Sequence, residues 1–332
     1  MFTENIAAVL ESPGRALKPL PPRPIPTPSE GEILIRNHAI AANPADWKIR
    51  DFGGIIDVYP TVLGSDVCGT ITAVGPKGTK FKVGDRIAGF ALKLRLWEYR
   101  ILSRFEDGAT FLMAFATAAV AYFERMGILR PVVVGREEVS QQGPGMLVWG
   151  ASSSTGTATV QLATNLGFKV FATASPQNHD YVKSLGAYAV VDYRDPDVVS
   201  KLIRLAKEAN TPLQHGFDFI SEGKSSILSA KTLLQSGGQG NNKLVLSGPW
   251  PTSHEKPDGV DISMTIAAFA FVDHVDMGSW MFNEYLPQAV EEKRIVPAPK
   301  VVIVDGGVAA AQKALGTVKA GVSATKIVVK VD

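Results

Sequence analysis

Residues 146–157 read MLVWGASSSTGT, and this stretch decides the fold class of the chain. The apolar residues of its first half are typical of a buried strand, and the small side chains of its second half predict a tight turn into a helix. Small side chains let backbone amides approach an anion closely, while a helix N-terminus adds unpaired N–H groups and a positive dipole end. The stretch therefore predicts a site for an anionic cofactor. Serines stand where the G-x-G-x-x-G pattern has glycines, so a plain turn capped by serine remains the alternative.

Strand-like and helix-like segments alternate around this turn, from about residue 115 to residue 275. Strands separated by helices at this interval predict βαβ units, and hence a parallel sheet covered on both faces. The fold class expected here is therefore α/β, with a doubly wound parallel sheet. The predicted strands are 146–149, 169–173, 189–191, 217–220 and 243–247.

The flanking regions have a different character. Residues 32–36, EILIR, are predicted as part of a strand, and Gly and Pro punctuate the neighbouring sequence, which is typical of a compact β-rich domain. After residue 276 a helix, a strand, a second helix and a closing strand are expected to fold back onto that domain. We therefore predict a discontinuous β-rich domain formed by 1–114 and 276–332, and an α/β domain formed by 115–275.

Charge and composition argue against several classes of partner. The chain has 34 Lys and Arg against 32 Asp and Glu, a formal charge of +2, and no basic run that would follow a nucleic-acid backbone. Its best apolar candidate, 264–272, is too short for a bilayer, and Glu4 stands where a signal peptide would carry a basic residue. We therefore expect a cytoplasmic protein that binds neither nucleic acid nor membrane.

Metal binding is not expected either. The single cysteine, Cys68, cannot form an internal disulfide and cannot build a cysteine-rich zinc site. The five histidines show no close metal-ligand spacing, so each is interpreted as a surface or structural residue.

The end of the second predicted strand favours NADPH over NADH. A site that prefers NAD usually has an Asp or Glu about 20 residues beyond the loop, where it bonds the ribose diol. Here Ser175 and Asn178 offer neutral hydrogen bonds instead, and Lys183, Tyr193 and Arg194 follow within reach of a 2′-phosphate. The alternative is that the serine segment only caps a helix and that Lys183 is a solvated helix residue.

Several further motifs point to one family. They are ANPADWK at 42–48, LGSDVCG at 63–69, VGDR at 83–86, DYR at 192–194 and GVSATK at 321–326, together with the loop and 172–186. With these motifs the chain resembles, nearly end to end, the medium-chain dehydrogenase/reductase superfamily. The likeness is strongest to its quinone oxidoreductase-like branch and to the fungal trans-acting enoyl reductases of polyketide biosynthesis. The resemblance implies a GroES-like substrate domain and a Rossmann domain for NADPH, with the nicotinamide held between them.

The resemblance also implies a set of site residues. Lys48 is implied as a donor to the carbonyl oxygen of the substrate or as a proton relay, and Thr117 as a residue that lines the same cleft. The alternatives are a surface lysine on a short helix and a threonine that caps the helix after it. Asn43 and Asp46 are expected to brace their loop. The implied cofactor contacts are Ser152, Ser153, Ser154, Thr155, Gly156, Ser175, Asn178, Lys183, Tyr193, Ser247, Gly248, Val322 and Ser323.

The missing zinc ligands bear on the expected reaction. Zinc-dependent relatives need Cys and His where this chain has Pro44 to Asp46 and Ser65 with Asp66. Without zinc to polarise a ketone, hydride transfer is easier to a double bond already conjugated with a carbonyl. We therefore expect a metal-free NADPH-dependent oxidoreductase that reduces an activated C=C bond, acting on an unsaturated carbonyl compound of polyketide or other secondary metabolism. A polyketide synthase is a candidate partner, and either a monomer or a homodimer fits the fold.

Two alternatives to an enoyl reductase stay open. One is a stand-alone reductase of quinones or small enones. The other is an NADPH-binding protein whose redox activity is lost or altered. It rests on the connection between the turn at 84–86 and Thr117, which looks several residues shorter than in relatives.

Overall fold

The structure is a computed structural model that describes residues 4–54, 56–77, 80–92, 95–100, 104–131, 143–236 and 240–331. Two compact units divide the chain. We call Met1–Leu112 with Pro297–Asp332 the β-rich unit, and Met113–Val296 the α/β unit. Among the described residues, no helix combines the length and the apolar character needed to cross a bilayer.

The first part of the β-rich unit consists of short strands and two helices. In chain order these are β1 (Glu4–Asn5), β2 (Ala8–Leu10), β3 (Lys18–Pro19), β4 (Arg23–Pro24), β5 (Ile33–Ala41), α1 (Pro44–Phe52), β6 (Thr61–Val62), β7 (Asp66–Val74), β8 (Arg86–Leu92), β9 (Arg95–Arg100) and α2 (Phe105–Gly108).

The α/β unit alternates strands with helices. Its elements are α3 (Leu112–Ala119) with a π-helical turn (Val120–Arg125), β10 (Gly145–Trp149), α4 (Ser154–Asn165), β11 (Lys169–Thr173), a 3-10 turn (Pro176–Asn178), α5 (His179–Ser184), β12 (Ala189–Val191), α6 (Val198–Glu208), β13 (Leu213–Asp218), α7 (Ser225–Gln235), β14 (Asn242–Leu246), β15 (Val260–Met264), α8 (Phe269–Val272), α9 (Val275–Trp280), a second π-helical turn (Met281–Tyr285) and α10 (Leu286–Glu291).

The chain then returns to the β-rich unit. The closing elements are β16 (Lys300–Val304), a 3-10 turn (Gly307–Ala310), α11 (Ala311–Ala320) and β17 (Thr325–Lys330).

A six-stranded mixed sheet with the order β16-β17-β5-β7-β8-β9 forms the base of the β-rich unit. β17 pairs antiparallel with β5, so the last strand of the chain completes a sheet begun near its start. Residues from both segments share one hydrophobic core, which includes Leu10, Ala42, Leu315 and Ile327. Because burial of apolar surface drives folding, the two segments stabilise each other.

The sheet of the α/β unit has the order β12-β11-β10-β13-β14-β15, and every neighbouring pair in it is parallel. The predicted doubly wound α/β fold is therefore confirmed. All five residues of β10 are buried, as expected for a central strand that is covered on both faces. The strand order changes direction between β10 and β13, and ligands of such sheets bind at the carboxyl ends of the strands at this point.

The α/β unit extends to Val296, whereas the sequence places its last residue at 275. The reason is packing that local periodicity does not reveal. Phe282 stacks on Phe271 with ring centroids 5.4 Å apart, and Trp280 meets Phe123 edge-on at 5.2 Å. The helices after residue 275 therefore complete the core of the α/β unit.

Candidate functional site

The turn between β10 and α4 is fixed to the neighbouring strand β11. Gly150 N–H donates to Thr173 Oγ1 at 3.1 Å, and Ala151 N–H donates to the Thr173 carbonyl at 2.9 Å. Gly150 has a φ of 77°, which strains any residue with a side chain. A Cβ there would also lie 2.5 Å from Ile220 Cγ1. These contacts hold the turn in one shape at the carboxyl edge of the sheet.

The start of α4 lies directly against this turn. Ser153 caps the helix, since its Oγ accepts the Gly156 N–H at 3.1 Å. A Cβ on Gly156 would lie 2.3 Å from the Gly150 carbonyl oxygen, so only glycine permits this approach. The predicted cap by serine and the predicted close turn are both present, and they are compatible with each other.

The turn is followed directly by a buried hydroxyl, that of Ser154. Ser154 Oγ is buried and has no hydrogen-bond partner among the described residues. A buried hydroxyl without a partner costs free energy, and a bound anion beside a helix N-terminus would satisfy it. The donors present, backbone amides and a serine hydroxyl, are those that hold a pyrophosphate in dinucleotide sites. The turn therefore fits the phosphates of a nicotinamide dinucleotide.

Asn178 connects the end of β11 to the turn at 150–153 between β10 and α4, which we call the phosphate turn after the ligand it fits. It is 8% exposed, and its Nδ2 donates to Ser152 Oγ at 3.3 Å. Ser175 lies between β11 and the 3-10 turn with extended backbone angles, and it is half-buried. The segment from Ala174 to Asn178 has no carboxylate. Nothing acidic in it would repel a 2′-phosphate.

Lys183, Tyr193 and Arg194, which are predicted near the 2′-phosphate, lie at the surface of the α/β unit. Lys183 is exposed on α5, and Tyr193 is 43% exposed after β12. Arg194 is held by Asp192, whose carboxylate accepts from Arg194 Nε and Nη2 at 3.1 Å each. This hydrogen bonding lowers the pKa of Asp192. Exposed pairs of this kind contribute little stability, so a phosphate could compete for the guanidinium.

The ends of β13 and β14 add a serine cluster. Asp218 is fully buried at the end of β13, and it accepts hydrogen bonds from the hydroxyls of Ser225 at 2.7 Å and Ser226 at 2.8 Å. Ser221 N–H donates to the same carboxyl group at 3.0 Å. Ser221 Oγ in turn accepts from Ser247 N–H at 3.1 Å. The structure thus brings the predicted Ser247 to the same sheet edge as the phosphate turn.

Sequence reasoning missed Thr173, Ile220 and Ser221. Thr173 holds the turn, Ile220 packs against Gly150, and Ser221 contacts both Ser247 and the neighbouring Gly248. All three end or directly follow a parallel strand. Position at the carboxyl end of a strand was the available signal, since these ends meet at one edge of the sheet.

Thr117 lies inside α3, not at its start. The helix begins at Leu112, and Thr117 Oγ1 donates to the Met113 carbonyl at 2.7 Å. The Thr117 carbonyl accepts from Thr265 Oγ1 at 3.0 Å. The alternative in which Thr117 only caps this helix is therefore wrong, because the helix begins five residues earlier, at Leu112.

The β-rich unit contains the remaining predicted residues. Lys48 is exposed on α1, with its Nζ 5.6 Å from the centroid of the Trp47 ring. Val322 and Ser323 are exposed in the segment between α11 and β17. Among the described residues, no group of three or more His, Cys, Asp or Glu side chains is placed to hold a metal ion.

Residues 29–101 match the family described as Alcohol dehydrogenase GroES-like domain. The chain is 33% identical to the trans-enoyl reductase tndF of Aspergillus flavipes over 99% of both chains. It is also 33% identical to the trans-enoyl reductase tazE of Aspergillus terreus, covering 79% of this chain and 92% of that protein.

Solved structures share the fold. An alcohol dehydrogenase superfamily protein from Novosphingobium aromaticivorans aligns with a TM-score of 0.80 and 20% identity, over 98% of this chain and 99% of that one. The CurK enoyl reductase aligns with a TM-score of 0.77 and 20% identity over the same shares. The chain therefore belongs to the medium-chain dehydrogenase/reductase superfamily and is an oxidoreductase, as its motifs predict. Members of this family generally bind a nicotinamide cofactor.

Proposed function

We propose that the protein is an NADPH-dependent enoyl reductase that reduces a C=C bond conjugated with a carbonyl, in a polyketide-type or other secondary-metabolite intermediate. The observation that carries the proposal is the phosphate turn, with its capped helix, its glycine contacts and the buried Ser154 hydroxyl that has no partner among the described residues. Relatives that span nearly all of the chain are named trans-enoyl reductases, which supports the reaction.

The choice of NADPH rests on the adenosine end of the site. A carboxylate after β11 would bond the ribose diol and repel a 2′-phosphate, and the segment after this strand has none. Ser175 and Asn178 would donate neutral hydrogen bonds to the 2′-phosphate. Lys183 and Tyr193 would contact the same group from the surface of the unit.

The remaining predicted residues have proposed roles along the dinucleotide and at the substrate. Ser247 and Gly248, and Val322 with Ser323, would contact its nicotinamide half. When bound, NADPH supplies a hydride to the β-carbon of the acceptor. The Lys48 ammonium would donate a hydrogen bond to the carbonyl oxygen as negative charge develops there, and a proton from solvent, relayed through Lys48, would complete the reduction at the α-carbon. Thr117 would line the space for the acceptor.

A cofactor titration and a turnover assay test this proposal together. Quenching of intrinsic fluorescence is expected to give an affinity for NADPH about tenfold or more above that for NADH. An α,β-unsaturated acyl thioester is expected to oxidise one equivalent of NADPH for each double bond reduced. Equal affinity for both cofactors would contradict the NADPH assignment, and binding without turnover on thioesters and enones would contradict the reductase assignment.

The substrate panel also separates two modes of delivery. A thioester presented on a carrier domain would be preferred if a polyketide synthase is the partner. If the protein works as a stand-alone reductase, the isolated protein would reduce small enones and quinones as fast as it reduces a carrier-bound thioester.

A further inference from the structure

Buried polar side chains surround the amino end of α1, and neither the cofactor nor the substrate roles account for them. Asn43, Asp46, Asp66 and Lys326 are each no more than 3% exposed. They come from the residue before α1, from α1, from β7 and from β17, respectively. We call these four residues the buried polar network.

Hydrogen bonds link every member of the network. Lys326 Nζ donates to Asn43 Oδ1 at 2.5 Å and to Asp66 Oδ2 at 3.0 Å. Asn43 Nδ2 donates to the same Asp66 oxygen at 2.9 Å, and Asn43 N–H donates to Asp46 Oδ2 at 2.8 Å. Charge-assisted hydrogen bonds of this kind are stronger than neutral ones. The network therefore ties the first turn of α1 to two strands of the sheet.

The charges in the network do not balance when all its groups are ionised. Two carboxylates, Asp46 and Asp66, face one ammonium, Lys326, and a buried excess charge is costly. Burial raises the pKa of Asp46 to about 6, and Asp66 acts in the same direction. The amides of Asn43 and Gly64 and the Lys326 ammonium oppose that shift of the pKa.

Apart from the exposed Lys48, the other charged groups on α1 are Arg50 and Asp51, which are paired with each other. Arg50 is buried on α1 and lies 2.7 Å from Asp51 through its Nε. Asp51 also meets Lys319 of α11 at 2.7 Å. Lys319 thus ties the last turn of α1 to α11, whereas the buried polar network ties its first turn to the sheet, and Lys48 lies on the helix between these two attachments.

We propose that the buried polar network holds α1 against the sheet and so positions Lys48. In this proposal the helix is closed when it is held there and open when it leaves the sheet. The hold is strongest when the Asp46 carboxyl carries a proton. Asp46 faces the interior two residues before Lys48, which is exposed on the same helix. The four residues are positioning residues, because none of them needs to touch the substrate. The role of Lys48 in turnover rests on the proposed function, whereas the attachment of α1 to the sheet does not.

The direction of the pH effect follows from linkage. When α1 opens, the Asp46 carboxyl returns to water and to its ordinary pKa of 3.8, whereas in the closed helix its pKa is about 6. The proton therefore stabilises the closed helix fully below the ordinary pKa, and this stabilisation is lost as the pH rises through about 6. The opening of α1 is expected to increase about tenfold from about pH 5 to about pH 7 and then to level off.

Hydrogen–deuterium exchange across a pH series measures this opening without any need for catalysis. Protection of peptides covering 44–52, corrected for the intrinsic exchange rate, should fall about tenfold over that range in the wild type. Asp46→Asn keeps an oxygen for the Asn43 N–H but cannot ionise, so its profile should be flat. If this variant does not fold, the wild-type profile decides alone, and a flat wild-type profile would overturn the proposal.

Asp51→Asn is the matched control on the same helix. Hydrogen bonds from Arg50 and Lys319 lower the pKa of Asp51 to about 2, so its charge is constant throughout the series. This variant should keep the tenfold change of the wild type. Loss of the change in the control would also contradict the assignment to Asp46.

Turnover on an unsaturated thioester extends the test to Lys48. The kcat of Asp46→Asn relative to the wild type should rise between about pH 5 and about pH 7, while the ratio of the KM values for NADPH stays constant. A constant kcat ratio would contradict the positioning of Lys48. Absence of turnover in both proteins, with the exchange profile intact, would contradict only the proposed function.

Discussion

The phosphate turn and the buried polar network are both polar regions, but they differ in what their polar groups are paired with. In the turn, backbone amides and small side chains surround the Ser154 hydroxyl, which has no hydrogen-bond partner among the described residues. In the network, the carboxylates of Asp46 and Asp66 and the ammonium of Lys326 all have partners within the fold. A buried donor without a partner beside a helix N-terminus can be satisfied by a bound anion, whereas the buried charges of the network already have their partners within the fold. Pairing, more than residue type, thus separates the two roles.

Removal of the ammonium from the network is expected to have the largest effect. Lys326→Met leaves the fully buried Asp66 without its countercharge, so the free energy of unfolding should fall by about 3–5 kcal/mol in urea denaturation. The double variant Lys326→Met with Asp66→Asn removes both charges and should recover most of that loss. An equal loss in the single and the double variant would show that the charge is not the cause.

Closing the phosphate turn with a methyl group should have the next largest effect. In Gly156→Ala the new Cβ meets the Gly150 carbonyl at 2.3 Å, so the backbone has to move. Overpacking of this size costs about 1–3 kcal/mol, and we expect NADPH to bind roughly 10- to 100-fold more weakly in a fluorescence titration. Gly316→Ala is the control, because its Cβ meets nothing within 4 Å. Unchanged affinity in the first variant would place the pyrophosphate elsewhere.

Ser154→Ala should separate ligand binding from stability. The loss of a donor to a charged group is expected to weaken NADPH binding about tenfold. The thermal stability of the free protein should not fall, because the hydroxyl has no hydrogen-bond partner in the part of the chain that the structure describes. Ser200→Ala, at an exposed position of α6, should change neither quantity. A clear loss of stability in the first variant would mean that the hydroxyl has a structural role.

Ser175→Asp should weaken NADPH binding about as much as Ser154→Ala does, and it should also change the choice between the two cofactors. A carboxylate after β11 would repel the 2′-phosphate of NADPH and bond the ribose diol of NADH. We expect the preference between the two cofactors to reverse, with NADPH weakened about tenfold. Parallel titrations with both cofactors measure this, and unchanged NADPH affinity would count against the placement of the adenosine end.

Local sequence predicts the α/β unit well where short-range patterns are strong. Small residues after an apolar strand located the phosphate turn, and Trp149 at the end of that strand is 3% exposed, as expected of a core residue. The strand predicted at 217–220 runs instead from Leu213 to Asp218. Its first residues include Gln214, His215 and Gly216, whose weak strand character is overridden by pairing with β10 and β14.

The sequence alone thus determined the family, the doubly wound fold and the place of the tight turn between β10 and α4, because each depends on residues close together in the chain. Only the tertiary structure could show that the helices after residue 275 belong to the α/β unit and that Lys326 meets Asn43 across 283 positions. Such contacts are decided by packing between distant segments, and no local periodicity records them. The same holds for the raised pKa of Asp46, which exists only because folding removes its carboxyl from water.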